Sequence, residues 1–189
     1  VNTQDIVKSL KIRSNDSTIT TLPISYTFGL SIVNSHFFSG SKIILNDYSI
    51  IQKQFWERYQ SLKPSCFYGV PYIFDLIFKM FSEKFYHNKL NFIAYAGGRI
   101  NDNTLQSILD YKKKNKIKFY SMYGQAEATA RIAILDTKDS LLKKGSIGKP
   151  IGKGKIKIIN QGKVIKRNGV SGSIIFKGEN TCLGYANSM

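Results

Sequence analysis

Cysteine, histidine, proline and acidic residues are all scarce in this chain of 189 residues. Its two cysteines, Cys66 and Cys182, stand far apart and lack metal-ligand spacing. They exclude a disulfide framework and a zinc site, and read as reduced thiols of a cytoplasmic protein. The two histidines, His36 and His87, have no partner motif. His36 sits in an apolar run and reads as a packed core residue. Ser-His-Asp order, paired CxxC, HExxH and a Walker lysine loop are all missing, which removes hydrolase, zinc-enzyme and P-loop readings within this stretch. No apolar run reaches the length of a membrane span, and nothing at the start resembles a signal peptide. Val1 falls inside a helical pattern, so the expectation is a piece of a longer protein or a processed one.

Acidic residues number 12 against 28 lysines and arginines, a net charge of +16. Such a balance invites a nucleic-acid or membrane-surface partner. The lysines, however, are spread over helix faces and hairpins. The one dense run, Lys112-Lys113-Lys114, falls at a helix C-terminus, where the helix dipole favours cations. No nucleic-acid-binding motif accompanies it, so the sequence argues against nucleic acid as the main partner.

What is present is a regular alternation of short apolar strands and helices. A helix is expected over Asn2–Leu10, a strand over Thr18–Leu22, a helix over Phe28–Phe38 and a strand over Lys42–Leu45. A helix follows over Ser49–Leu62, with Ile51, Phe55 and Tyr59 on one face, ending before Pro64. Ser65–Tyr68 is the next strand. Pro71 then opens a helix apolar nearly all round, expected to be sandwiched between layers. Phe92–Tyr95 is a strand ending in Ala96-Gly97-Gly98. Asn101 or Asn103 caps a helix that buries Leu105, Ile108 and Leu109. Ile117–Tyr120 leads into a small-residue turn.

This order predicts an α/β fold: a mostly parallel layered sheet with helices on both faces. After about Leu142 glycines multiply, Lys155–Ile158 alternates as a half-exposed strand does, and Asn160-Gln161-Gly162 and Asn168-Gly169 signal turns. Residues 1–142 are expected to form the α/β subdomain, and residues 143–189 the start of a small antiparallel β-rich subdomain.

Ligands of such sheets bind beyond the carboxyl ends of the strands. The segments at those ends are Pro23-Ile24-Ser25-Tyr26, Tyr68-Gly69, Ala96-Gly97-Gly98 and Tyr123-Gly124-Gln125-Ala126-Glu127, each small, polar or aromatic. Gly124 and Ala126 carry almost no side chain, which lets a ligand approach the backbone. Tyr123 offers a flat face for stacking, and Glu127 an oxygen ligand for a hard cation such as Mg²⁺. An ordinary strand-to-helix connection with a solvated glutamate remains the plain alternative.

Six segments in order resemble the adenylate-forming superfamily of acyl-CoA synthetases and peptide-synthetase adenylation domains. They are Leu22 to Gly29, Gly69-Val70-Pro71, Ala96-Gly97-Gly98, Tyr123 to Glu127, Gly145 to Pro150, and Gly172 through Tyr185. The resemblance spans essentially the whole chain. It implies that a carboxylic acid is coupled to ATP as acyl-AMP and then passed to a thiol of CoA or of a phosphopantetheine carrier protein. By matching position, it implies that Tyr123 stacks on adenine, that Glu127 holds Mg²⁺ and that Tyr26 gates the acyl carboxylate. Gly97, Gly98, Arg99, Tyr120, Ser121, Met122, Gly124, Gln125 and Ala126 would line the nucleotide site. Ser25, Tyr26, Tyr68, Gly69 and Gly97 would line the acid site.

Three departures qualify the resemblance. Ala126 stands where a Thr or Ser hydroxyl is usual, removing a hydrogen bond worth about 1–3 kcal/mol if its partner is charged. Ser173 replaces a common Glu and is read as structural. The phosphate loop expected before Val1 and the lysine-bearing C-terminal domain expected after Met189 are absent, so the stretch is expected not to turn over alone. No acid occurs at Ile24-Ser25-Tyr26 to pair an α-ammonium, which favours an acyl or aryl acid over an α-amino acid. A non-catalytic module that keeps the fold, and a basic surface binder, are the competing readings.

Overall fold

The structure, a computed structural model, describes residues 1–136 and 145–185. Its centre is a seven-stranded sheet in the order β2-β1-β3-β4-β5-β6-β7. β1 (Ser17–Ile19), β2 (Lys42–Ile44), β3 (Cys66–Gly69), β4 (Phe92–Tyr95) and β5 (Lys118–Tyr123) run parallel. β6 (Ala133–Asp136) and β7 (Lys149–Pro150) add antiparallel to the end of that row. The expected mostly parallel layered sheet is thus the observed architecture.

Alternate side chains along the central strands feed two cores, because successive strand residues point to opposite faces. Phe67, Ile93, Tyr95 and Phe119 join one core, with α3 (Lys53–Leu62) and α6 (Asp102–Asn115) over it. Cys66, Tyr68, Phe92, Ala94, Tyr120 and Met122 join the other, beneath α1 (Asn2–Leu10) and α2 (Thr27–Phe38). His36 lies in this second layer, fully buried between Ser41 Oγ at 2.5 Å and the Tyr68 hydroxyl at 3.1 Å. The Asn101 side chain caps α6 by accepting from the Thr104 amide, and Leu105, Ile108 and Leu109 are buried as expected.

Several boundaries differ from the sequence expectation. α3 begins at Lys53 rather than Ser49, because Ser49 and Gln52 close a turn on each other. Ile51 is therefore exposed, and Trp56 joins Phe55 and Tyr59 in the core instead. The helix opened by Pro71 is not sandwiched. It runs as α4 (Pro71–Leu76), a π-helical turn (Ile77–Phe81) and α5 (Ser82–Phe85). The π-turn shifts the buried stripe onto Phe74, Ile77 and Phe85 and leaves Tyr72 and Met80 in solvent. β1 stops at Ile19, and Thr21 turns its hydroxyl to the Tyr68 carbonyl at 2.7 Å. β5 extends through Tyr123, beyond the expected Tyr120.

The antiparallel β-rich unit is present as a three-stranded sheet in the order β10-β8-β9, from β8 (Lys155–Asn160), β9 (Lys163–Val164) and β10 (Ser173–Lys177). Gln161 and Gly162 both take positive φ (49° and 75°), making the tight turn between β8 and β9. The expected subdomain boundary at residues 142 and 143 lies outside the described residues. β7, which follows it, pairs with the large sheet rather than the small one.

Candidate functional site

In the order β2-β1-β3-β4-β5 the chain reverses direction between β1 and β3. Connections on either side of such a point diverge, and a crevice opens at the carboxyl ends. The segments that leave β1, β3, β4 and β5 meet here.

Tyr26 is the residue before α2, in extended conformation at φ −86° and ψ 128°. Its hydroxyl reaches the turn after β4, where a β-carbon on Gly97 would lie 2.8 Å from it and 3.2 Å from Val70 Cγ1. Gly97 has φ +85°, a conformation glycine adopts without strain. Gly97, Gly98 and Arg99 are exposed, as are Ser25 and Tyr26. The aromatic hydroxyl and the glycine turn are thus brought together although far apart in the chain.

The turn after β5 is not the strand-to-helix connection of the plain alternative. A single 3₁₀ turn over Ala126–Ala128 doubles back into β6. Thr129 and Ala130 take positive φ to make the reversal (49° and 84°). A β-carbon on Gly124 would lie 1.6 Å from the Ala130 carbonyl oxygen. The group that demands glycine there is the chain's own returning backbone, not an approaching ligand. Tyr123 is half-buried, and Gln125 and Ala126 are exposed beside it.

Glu127 is held from the β-rich side. Its carbonyl accepts the Cys182 amide at 2.7 Å, and the Asn180 side chain donates to the neighbouring Ala128 carbonyl at 2.5 Å. The Tyr185 hydroxyl donates to the Glu127 carboxylate. That bond lowers the Glu127 pKa below the ordinary carboxylate value and raises the Tyr185 phenol. Glu127 is thus an ionised oxygen donor at neutral pH. Tyr185, Asn180 and Cys182 carried no individual signal in the sequence.

Other residues expected in the site face inward. The Tyr68 ring is fully buried, edge-on to Phe28, His36 and Phe92, and burial pushes its phenol well above the ordinary value. Gly69 is buried against Ile73 and Phe74. Tyr120 and Met122 are core residues, with the Tyr120 phenol pushed up to about 12 by burial. Ser121 donates to the Tyr95 hydroxyl at 2.9 Å on the opposite face. The approachable part of β5 therefore begins at Tyr123.

Sequence reasoning passed over Arg131. It is fully buried, with its guanidinium 4.8 Å from the Phe28 ring centroid, 5.9 Å from that of Tyr68, and 3.0 Å from Ser31 Oγ. The signal was available: one cation interrupts the apolar run Ala128 to Leu135.

A model of the AMP-binding enzyme family matches residues 1–186. The chain belongs to that family. It is similar to a 2-succinylbenzoate–CoA ligase of Bacillus cereus, 26% identical over 189 residues, covering 95% of this chain and 36% of that protein. A 2-succinylbenzoate–CoA ligase of Listeria monocytogenes is 25% identical over 159 residues, covering 84% and 33%. Among solved structures, the o-succinylbenzoate CoA synthetase of Bacillus subtilis in complex with ATP and magnesium ion superposes with a TM-score of 0.82. It is 21% identical and covers 99% of this chain and 38% of that one. A long-chain-fatty-acid–CoA ligase of Archaeoglobus fulgidus gives 0.83 at 16% identity, covering 99% and 39%. The chain thus spans between 33% and 39% of the length of these proteins, and these structures share its fold.

Proposed function

We propose that this AMP-binding chain is the acid- and adenine-binding part of an ATP-dependent ligase that activates a carboxylic acid as acyl-AMP and passes it to a thiol. The observation that carries the reading is the convergence of Tyr26 on Gly97 in one crevice wall, with Glu127 fixed in the turn after β5. CoA is the favoured acceptor, since the relatives above are named CoA ligases; a carrier-protein phosphopantetheine is the alternative.

The residues suit the cofactors. Among the described residues no cluster of three or more His, Cys, Asp and Glu could hold a metal ion. Glu127 supplies an ionised oxygen, which matches Mg²⁺, a cation that takes one or two carboxylates and completes its shell with phosphates and water. Bound there, Mg²⁺ would neutralise phosphate charge. Tyr123, half-buried against Ala128, Ile132 and Ala133, offers a ring face to adenine, and the exposed Gly97-Gly98 turn offers backbone without side chains.

In the first step a carboxylate oxygen of the acid attacks the α-phosphorus of ATP, forming one P–O bond as that to pyrophosphate breaks. Tyr26 orients the carboxylate against the Gly97 turn. In the second, a thiolate attacks the acyl carbon and AMP leaves. Residues 1–142 supply the acid and adenine side, and residues 143–189 begin the subdomain that secures Glu127 through Asn180, Cys182 and Tyr185.

ATP–pyrophosphate exchange on the full-length protein across a panel of carboxylic acids tests the reading. Glu127→Gln should nearly abolish exchange, and wild-type exchange in that variant would refute the metal role. Ala126 favours a second reading, a module that binds ATP without turnover. ATP binding without exchange for any acid would establish it.

A further inference from the structure

At the amino ends of the strands, the edge away from the crevice, a cavity of about 250 Å³ opens between α1, α6 and the loops before β1 and β4. Four cations line it. Lys11 and Lys116 close α1 and α6, Arg13 lies in the loop before β1, and Lys118 opens β5. None of the four pairs with an acidic residue among those described.

One carboxylate shares the cavity. Asp16 is buried and both its oxygens are already engaged. Oδ1 accepts from Ser65 Oγ at 2.7 Å and from Asn91 Nδ2 at 2.9 Å, and Oδ2 accepts from the Arg13 amide at 2.9 Å. These bonds tie together the segments that enter β1, β3 and β4, so Asp16 braces the cavity instead of pairing with its lysines.

The plain reading of Lys11 and Lys116 is that each meets the negative end of a helix, which carries about half an elementary charge. The two helix ends and Asp16 together offset about two of the four positive charges, leaving the cavity close to +2. Arg13 and Lys118 are the surplus, since neither closes a helix. Among the described residues no other charged side chain lines the cavity. Cations gathered round one polar space repel each other, and a bound anion relieves that repulsion.

We propose that this cavity binds a phosphate dianion, free or as the monoester of a small molecule, at a site separate from the acid- and adenine-binding crevice. The charge near +2 suits a dianion better than a monoanion. The volume is several times the about 30 Å³ that one water takes in the liquid, which leaves room for a phosphate and a small organic body. Lys118 and Tyr123 stand at opposite ends of β5, roughly 16 Å apart at about 3.3 Å per residue, so a ligand here does not touch the crevice.

The test is calorimetric titration of the full-length protein, without Mg²⁺, at mildly alkaline pH and low ionic strength. Methyl phosphate, a dianion, is compared with dimethyl phosphate, a monoanion of similar shape. Methyl phosphate should bind one to one and about tenfold or more tighter. Arg13→Gln and Lys118→Gln leave both helix caps in place and should each weaken it about fivefold, the loss of one exposed ion pair. Glu127→Gln should leave this binding unchanged, and the Arg13→Gln/Lys118→Gln double variant should leave pyrophosphate exchange unchanged. Tighter binding of glycerol 3-phosphate than of inorganic phosphate would identify a monoester as the ligand, and the reverse order would identify free phosphate. Equal binding of the two methyl esters, binding that survives the double variant, or binding lost in Glu127→Gln overturns the proposal. So does retention on phosphatidic-acid vesicles with no binding of methyl phosphate, which would mark the cations as a lipid-facing surface. Binding is read without turnover, so the outcome stands apart from the ligase reading.

Discussion

The Tyr26 hydroxyl stands over the α-carbon of Gly97, so close that a β-carbon added there would lie 2.8 Å away. Gly97→Ala must both strain a backbone at φ +85° and displace the phenol. The expected loss is about 1–3 kcal/mol by urea denaturation. Tyr26→Phe removes the oxygen in the way, so the double variant should recover part of that loss. Full additivity of the two substitutions would show that the residues do not touch.

Gly124 and Gly98 flank the same crevice but differ in what surrounds them. A β-carbon at Gly124 collides with the Ala130 carbonyl at 1.6 Å, whereas at Gly98 the nearest atom is Pro71 Cγ at 3.5 Å. Gly124→Ala is expected to prevent the β5–β6 reversal and cost several times what Gly98→Ala costs, which should be within about 0.5 kcal/mol of wild type. Comparable melting temperatures for the two variants would contradict the hairpin geometry.

The Glu127 carboxylate titrates below its ordinary value because Tyr185 donates to it. Tyr185→Phe should raise the Glu127 pKa, read by carboxyl-carbon NMR. The sign follows from linkage: a depressed carboxylate contributes stability above its unfolded pKa and loses it as pH falls through the folded value. An unchanged Glu127 titration in Tyr185→Phe would break this connection.

His36 and His87 are both lowered to about 4, in each case mainly by burial. A base whose folded pKa lies below the unfolded 6.5 binds its proton first in the unfolded chain. Their contribution is therefore complete above pH 6.5 and is lost as pH falls from there towards 4. Neither ring nitrogen of His87 has a hydrogen-bond partner. His87→Phe should then be neutral or stabilising at pH 7 and flatten the loss between pH 6.5 and 4. A variant as acid-sensitive as wild type would mean that His87 is not buried in its neutral form.

Much of the fold was legible because its signals are local. Phe92–Tyr95 was bounded correctly by apolar content and the glycines behind it, and of the two candidate caps, Asn101 and Asn103, the first caps α6. The site was legible in part. Tyr26, Gly97 and Glu127 were proposed from small and aromatic residues at strand ends, and the structure sets Tyr26 against Gly97. Tyr68 was placed in the same group, although its ring turns into the core. Strand ends are visible in sequence, but the face a side chain takes depends on where the strand begins, and a one-residue uncertainty reverses it.

By itself, the amino-acid order determined the alternation of strands and helices, the β-rich texture after it, and the turns at the carboxyl edge. Those follow from periodicity and backbone preference within a few neighbouring residues. Only the tertiary structure decided that Gly124 yields to Ala130, that Tyr185 restrains Glu127, and that Arg131 lies unpaired behind Ser31. The last two are contacts between residues 58 and 100 positions apart, set by how the layers close rather than by any local preference.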